Sequence, residues 1–242
     1  MSRLLLGLLV ASVAVFPAHA ETVHVAVAAN FTAVAEELAA LFAAETDHEA
    51  VLSFGATGGL YTQITQAAPF GVLLAADTAR PERAIVEGFG VEGTFFVYAQ
   101  GQLALVGQGV TSADGIAALS GDFAHLAVAD PKAAPYGAAA VEALAGLGLY
   151  DAVEAKIVWG ENISQTLQFV DSGSAPLGFV AASQVLERED TWLVPADLHA
   201  PIEQGAVLLK AGEANPAALA FLDFIRSDAA IAVIEGAGYA VP

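Results

Sequence analysis

The segment Val23-His-Val-Ala-Val-Ala-Ala-Asn-Phe-Thr32 limits the possible folds of this chain more than any other. Val23, Val25 and Val27 alternate with Thr22, His24 and Ala26, the period-two pattern of a strand. Directly afterwards Phe31, Val34, Ala35, Leu38, Leu41 and Phe42 recur at helical spacing, with Glu36 and Glu37 on the other face. The period changes at Ala28-Ala29-Asn30, so a buried strand is expected to run straight into a helix, with Asn30 as its N-cap. A helix that begins at the carboxyl end of a strand presents N–H groups without intrahelical partners and a positive dipole end. Such a terminus attracts anions.

The same device recurs along the chain. Ala50 to Phe54 reads as a strand, ends in Gly55-Ala56-Thr57-Gly58-Gly59, and gives way to a short helix marked by Leu60, Ile64 and Ala67. Glycines in that turn allow backbone to approach a ligand closely, and Thr57 offers a hydroxyl at the helix start. Val72 to Ala75 is a third strand and Pro81 to Glu87 a further helix. A second series begins with the strand Leu126 to Ala129, broken by Asp130-Pro131, after which Pro135-Tyr136-Gly137 precedes a helix over Ala138 to Leu147. Lys156 to Trp159 leads through Gly160-Glu161-Asn162-Ile163-Ser164 into a helix reaching Val170, and Leu177 to Val180 and Thr191 to Val194 are further strands. Asn215-Pro216 is a helix start, an N-cap followed by proline at the first helical position.

Alternating βαβ units predict an α/β fold with largely parallel sheets and helices on their faces. Gln100-Gly101-Gln102 separates two apolar runs and reads as a crossing between lobes, with Pro201 to Gly205 as the return. The expected architecture has two lobes and a cleft between them. Residues 21–100 with 204–242 form one lobe and residues 101–203 the other.

The first twenty residues read as a cleaved secretory signal: Arg3, an apolar run from Leu4 to Val15, and a small-residue site at Ala18-His19-Ala20. The run is short for a bilayer span, and the location it implies is the periplasm. About 222 residues remain, enough for two modest lobes. The chain has no cysteine, which excludes disulfides, thiolate metal sites and a lipid-anchored thiol. Its net charge is −19, or about −20 without Arg3, which argues against nucleic acid as a partner. An anion held by such a chain depends on local dipoles, because the overall field repels it.

The histidines His24, His48, His125 and His199 show no metal-binding spacing, and no cofactor is expected. There is no G-x-S-x-G elbow, and neither a Walker nor a dinucleotide glycine pattern is present. The paired carboxylates Glu36 and Glu37 belong to a solvent face. What remains is a set of neutral donors at helix starts: Asn30, Thr32, Ser53, Thr57, Tyr136 and the backbone of Ile163, with Lys132 the one basic residue near these turns. Each alone is an ordinary cap or turn residue, but together they suit a fully ionised oxyanion, which needs several donors and no acceptor. A receptor for another anion such as sulfate, or a secreted hydrolase using Ser53 or Ser164 with a histidine, stays open on these residues.

Six segments in order, Val25–Thr32, Ser53–Tyr61, Leu73–Asp77, Leu126–Gly137, Gly160–Gln165 and Ala175–Val180, resemble the molybdate-binding proteins of bacterial ABC transporters. The resemblance covers nearly the whole chain after the signal. It implies a type II periplasmic binding fold that holds molybdate or tungstate in its cleft, acts as a monomer without catalysis and delivers its cargo to a membrane permease. Carried over by position, it implies Asn30, Thr57 and Tyr136 as oxyanion ligands, Ile163 as a backbone donor, and further backbone donors at Ala29 and Ala56. The oxyanion is held through its oxygens, with no residue bonded to the metal. One departure stands out: Ala181 occupies a place where other members carry a binding tyrosine, and Tyr136 matches a ligand tyrosine of one subset.

Overall fold

A computed structural model describes residues 20–242; all of the expected signal segment except Ala20 lies outside the described residues. β1 (Thr22–Ala28) passes through a 3₁₀ turn at Ala29–Phe31 into α1 (Thr32–Thr46), so the change of period marks where strand gives way to helix. The expected capping role of Asn30 is corrected. Phe31 stands at the N-cap of α1, and the Asn30 side chain turns into the protein, where Gln204 Oε1 (2.9 Å) and the Tyr239 hydroxyl (3.0 Å) accept its two N–H groups. Buried acceptors compete successfully with the helix terminus for this amide.

β2 (Glu49–Gly55), α2 (Thr57–Thr65), β3 (Val72–Leu74), α3 (Ala79–Val86) and β4 (Phe96–Gly101) follow. One residue later β5 (Leu103–Gly107) begins, and then come α4 (Ile116–Leu119), β6 (Leu126–Ala129), α5 (Pro135–Gly146), α6 (Tyr150–Val153), β7 (Ile157–Gly160), α7 (Ile163–Asp171), β8 (Leu177–Ala181) and β9 (Thr191–Leu193). The chain closes with β10 (Ile202–Leu208), α8 (Pro216–Phe224) and α9 (Asp228–Gly236). α8 starts as its Asn-Pro pair requires: the Asn215 side chain accepts from the N–H groups of Ala217 and Ala218. No helix among the described residues is long and apolar enough to cross a membrane.

The strands form two five-stranded sheets, β2-β1-β3-β10-β4 and β7-β6-β8-β5-β9. β1, β2 and β3 run parallel, as do β6, β7 and β8. The expectation of largely parallel sheets needs one correction. β10 enters the first sheet antiparallel to β3 and β4, and β5 enters the second antiparallel to β8 and β9. Each is the strand on which the chain arrives from the other sheet, so it comes in from the cleft side and points the opposite way.

Alternation along β1 sorts its side chains between two layers. Val23, Val25 and Val27 pack with α1, α8 and α9 around Phe42, Phe221 and Phe224, whereas Ala26 faces Leu60, Tyr61 and Ile64 of α2 on the other side. In the second sheet Leu103, Leu105, Leu126 and Val128 pack against α5, and Ala104, Val106 and Ala127 against α7. Helix starts are thereby pinned to strand ends on the side where the sheets meet. Phe42 lies at the centre of the first layer, fully buried, with its ring edge-on to Phe221 (5.2 Å between centroids). Phe42→Ala should lower the unfolding free energy by about 3–5 kcal/mol, read by chemical denaturation; a loss under about 1 kcal/mol, the cost of a volume-conserving core swap, would show that this layer tolerates the cavity.

Candidate functional site

Four helical N-termini meet across the cleft. From the first sheet come the 3₁₀ turn after β1, with Ala29 and Asn30, and the start of α2, with Ala56 and Thr57; from the second come Ala134 to Tyr136 at the start of α5 and Asn162 and Ile163 at the start of α7. These residues, with Ala28, Gly55 and Ala76, line a small cavity, partly open to solvent. All six residues singled out in the sequence, Ala29, Asn30, Ala56, Thr57, Tyr136 and Ile163, lie on its wall. Thr32 and Ser53 do not: Thr32 bonds back to the Ala29 carbonyl (2.8 Å) and Ser53 stays within β2. Ala181 ends β8, fully buried and away from the wall.

The cavity is rich in protons and poor in acceptors. No lining side chain is charged. Thr57 Oγ1 accepts from the Ala76 N–H (3.1 Å), which leaves its own proton for another partner. The Tyr136 oxygen faces the Gln204 amide nitrogen at 3.4 Å, longer than an ordinary bond, and its hydroxyl also lies beside that of Tyr239; the Tyr239 oxygen already accepts from Asn30 and Ser183, which leaves the Tyr136 proton for the cavity. Asn162 caps α7 by accepting from the Gln165 N–H (3.0 Å), which leaves the Ile163 N–H without an intrahelical partner. Since the Asn30 side-chain N–H groups are taken by Gln204 and Tyr239, what Asn30 offers the cavity is the N–H of its turn. Each helix adds roughly half a positive charge at this end.

The lobes are closed on the cavity by direct bonds. The Gly58 N–H donates to the Ala133 carbonyl (2.9 Å), Arg80 Nη2 to the Lys132 carbonyl (2.8 Å) and Ser164 Oγ to the Ala29 carbonyl (3.0 Å). The glycine turn therefore serves a close approach of the opposite lobe: a Cβ on Gly58 would lie 3.0 Å from the Ala133 Cα. Lys132 is exposed and contributes its carbonyl to closure, while the basic residue beside the cleft is Arg80, ion-paired with Asp77. Ser164, one serine of the hydrolase alternative, is engaged by the Ala29 carbonyl and by Gln184.

Three buried side chains behind the wall gave no separate signal in the sequence. Gln204 Oε1 accepts from Asn30 and from the Tyr98 hydroxyl (3.1 Å), and the Tyr239 hydroxyl donates to the Asn30 carbonyl (3.0 Å) while accepting from Ser183 (2.8 Å). A lone glutamine before the apolar run Ala206 to Leu209 was the available clue. Burial pushes the hydroxyls of Tyr136 and Tyr98 well above the ordinary tyrosine range, and it raises Tyr239 as well. All three stay protonated wherever the protein is folded and near neutrality.

A two-lobed α/β chain that closes over an uncharged cavity of hydrogen-bond donors has the build of a solute-binding receptor. The family of bacterial extracellular solute-binding proteins matches residues 23–240, and the chain belongs to it. It is 49% identical over 226 residues to the molybdate-binding protein ModA of Rhodobacter capsulatus, covering 92% of this chain and 90% of that one. It is 48% identical over 229 residues to ModA of Azotobacter vinelandii, covering 92% and 91%. The solved periplasmic molybdate-binding protein of Azotobacter vinelandii superposes with a TM-score of 0.85 at 36% identity, over 91% of this chain and 99% of that one. The resemblance read from six short segments thus extends over the folded chain.

The raised tyrosines carry a sign. Their native pKa values lie above the unfolded one, so they contribute stability that is complete below about pH 10 and is lost as pH rises through the native values. In a spectrophotometric alkaline titration, phenolate absorbance from Tyr98, Tyr136 and Tyr239 should appear only together with loss of near-ultraviolet circular dichroism. Ionisation of all five tyrosines near pH 10 with the fold intact would contradict the burial.

Proposed function

We propose that this chain is a periplasmic receptor that captures molybdate, and tungstate with it, and delivers the ion to the membrane permease of an ABC transporter. One observation carries the reading: four helical N-termini and two hydroxyls that each already face a donor surround a cavity without a charged side chain. A dianion placed there meets several donors and no carboxylate, and the positive dipole ends replace its hydration without a counter-charge. The relatives named for molybdate binding support the choice of ion. In this reading Asn30, Thr57, Tyr136 and Ile163 hold the oxygens, with Ala29 and Ala56 adding backbone donors. The receptor works as a monomer, takes no cofactor and performs no chemistry. Export through the N-terminal signal, cleaved after Ala20, places it in the periplasm.

Closure of the lobes buries the ion, and the closed shape is what the permease reads. Rejection of sulfate follows from size, since donors fixed on four helices suit the larger tetrahedron. Hydrogen phosphate is disfavoured because its proton finds no carboxylate on the wall.

Isothermal titration of the protein from Glu21 onward with molybdate, tungstate, sulfate and phosphate in parallel tests the reading. One-to-one binding of molybdate and tungstate with sulfate and phosphate silent is expected. Heat from sulfate or phosphate alone would overturn the choice of ion, and silence from all four would overturn the receptor reading. Tyr136→Phe should weaken molybdate binding by about 1–3 kcal/mol, the cost of one hydrogen bond to a charged group; unchanged affinity would remove Tyr136 from the site.

A further inference from the structure

Gln204 is fully buried, yet it sits in β10, whose neighbours Ala206 to Leu208 are apolar. The pairing of β10 with β4 slips between Gln204 and Gly205, a bulge of the kind that re-aims a side chain. Here it sends the Gln204 amide towards the cavity wall. There the amide meets groups from both lobes: Asn30 in the 3₁₀ turn, Tyr98 in β4, and Tyr136 in α5 of the opposite lobe. Burying an amide is costly unless its polar atoms are matched, and all of these contacts match it.

The amide is oriented by its neighbours. Its oxygen receives the Asn30 side chain at 2.9 Å and the Tyr98 hydroxyl at 3.1 Å, whose one proton is shared with the Ala75 carbonyl at 3.2 Å. Its nitrogen therefore faces the Tyr136 oxygen, and it can only donate there. Tyr136 has little freedom to move away. Its hydroxyl fills the space beside Gly101, where an added Cβ would overlap the Tyr136 oxygen and lie 3.0 Å from Gln204 Nε2. Gly101 ends β4 on the crossing between the sheets, so the hydroxyl, the amide and both crossing strands meet at one point.

We infer that Gln204 is a positioning residue for the oxyanion site: its N–H occupies the Tyr136 oxygen, so the Tyr136 proton points into the cavity. This rests on the oxyanion-receptor reading above and adds a specificity element to it. With its lone pair occupied, Tyr136 serves an ionised oxyanion as a donor and offers a protonated one no acceptor. Gln204 thereby works through Tyr136 and does not itself touch the ion.

The test is a double-mutant cycle between Gln204→Met and Tyr136→Phe, with molybdate and inorganic phosphate as titrants and thermal unfolding of each ligand-free variant as the control. Gln204→Met keeps the length of the side chain and removes its polar atoms. Alone, it should weaken molybdate binding about tenfold and narrow the preference for molybdate over phosphate; in the Tyr136→Phe background it should cost less than about threefold. An equal loss in both backgrounds, or no loss in the single variant, would overturn the positioning role. Failure of the unaltered protein to bind molybdate would instead overturn the receptor reading, and the positioning role with it. Should Gln204→Met fail to fold, Tyr98→Phe makes the same comparison, since it removes one of the two donors that fix the amide. Its smaller loss should likewise vanish beside Tyr136→Phe, and a loss that persists there overturns the role.

Discussion

Everything in this structure depends on helix N-termini that meet across a cleft with no counter-charge between them. The strands place them. β1 and β2 end beside the first-sheet turns, and β6 and β7 end beside the starts of α5 and α7. Because the sheets share one topology, their carboxyl ends face one another, and four partial positive charges converge on one small volume. A chain carrying −19 cannot attract an anion by its overall field, so this local convergence has to suffice. It also makes a basic side chain unnecessary, and the cavity wall has none.

The second layer of side chains decides what the first can offer. A hydroxyl both donates and accepts, so a wall of hydroxyls is not by itself selective. A hydroxyl whose oxygen already faces a donor is left chiefly with its proton to offer. Ala76 is that donor for Thr57, and Gln204 faces Tyr136 in the same way. Closure depends on backbone in like manner: carbonyls of Ala29, Lys132 and Ala133 accept bonds from the opposite lobe.

Much of this was legible in the chain. The valine alternation of β1, its switch to helical period at Ala28-Ala29-Asn30, and the Asn215-Pro216 start are local signals, and each corresponds to an element. The six wall residues were readable because each lies at such a junction. Strand direction was not legible, because the period of an apolar run is the same whichever way the strand points; β5 and β10 therefore came as corrections. Nor could the sequence separate Thr57 from Thr32 or Ser53, all hydroxyls near turns. Topology alone turns Thr57 to the cleft and Thr32 back to its own turn. Asn30 has the side chain of a cap, but its acceptor Gln204 lies 174 residues away and no local pattern announces it. Arg80 was hidden for the same reason, since its partner on the far lobe is a backbone carbonyl.

The most direct measurement is a crystal structure of the protein with bound molybdate, with diffraction data collected at the molybdenum absorption edge. A single anomalous peak is expected between the four N-termini, with oxygens within hydrogen-bonding distance of Thr57 Oγ1, the Tyr136 hydroxyl and the backbone nitrogens of Asn30 and Ile163. A peak elsewhere, or an ion held by Arg80 or Lys132 in place of these donors, would contradict an oxyanion site built from helix ends.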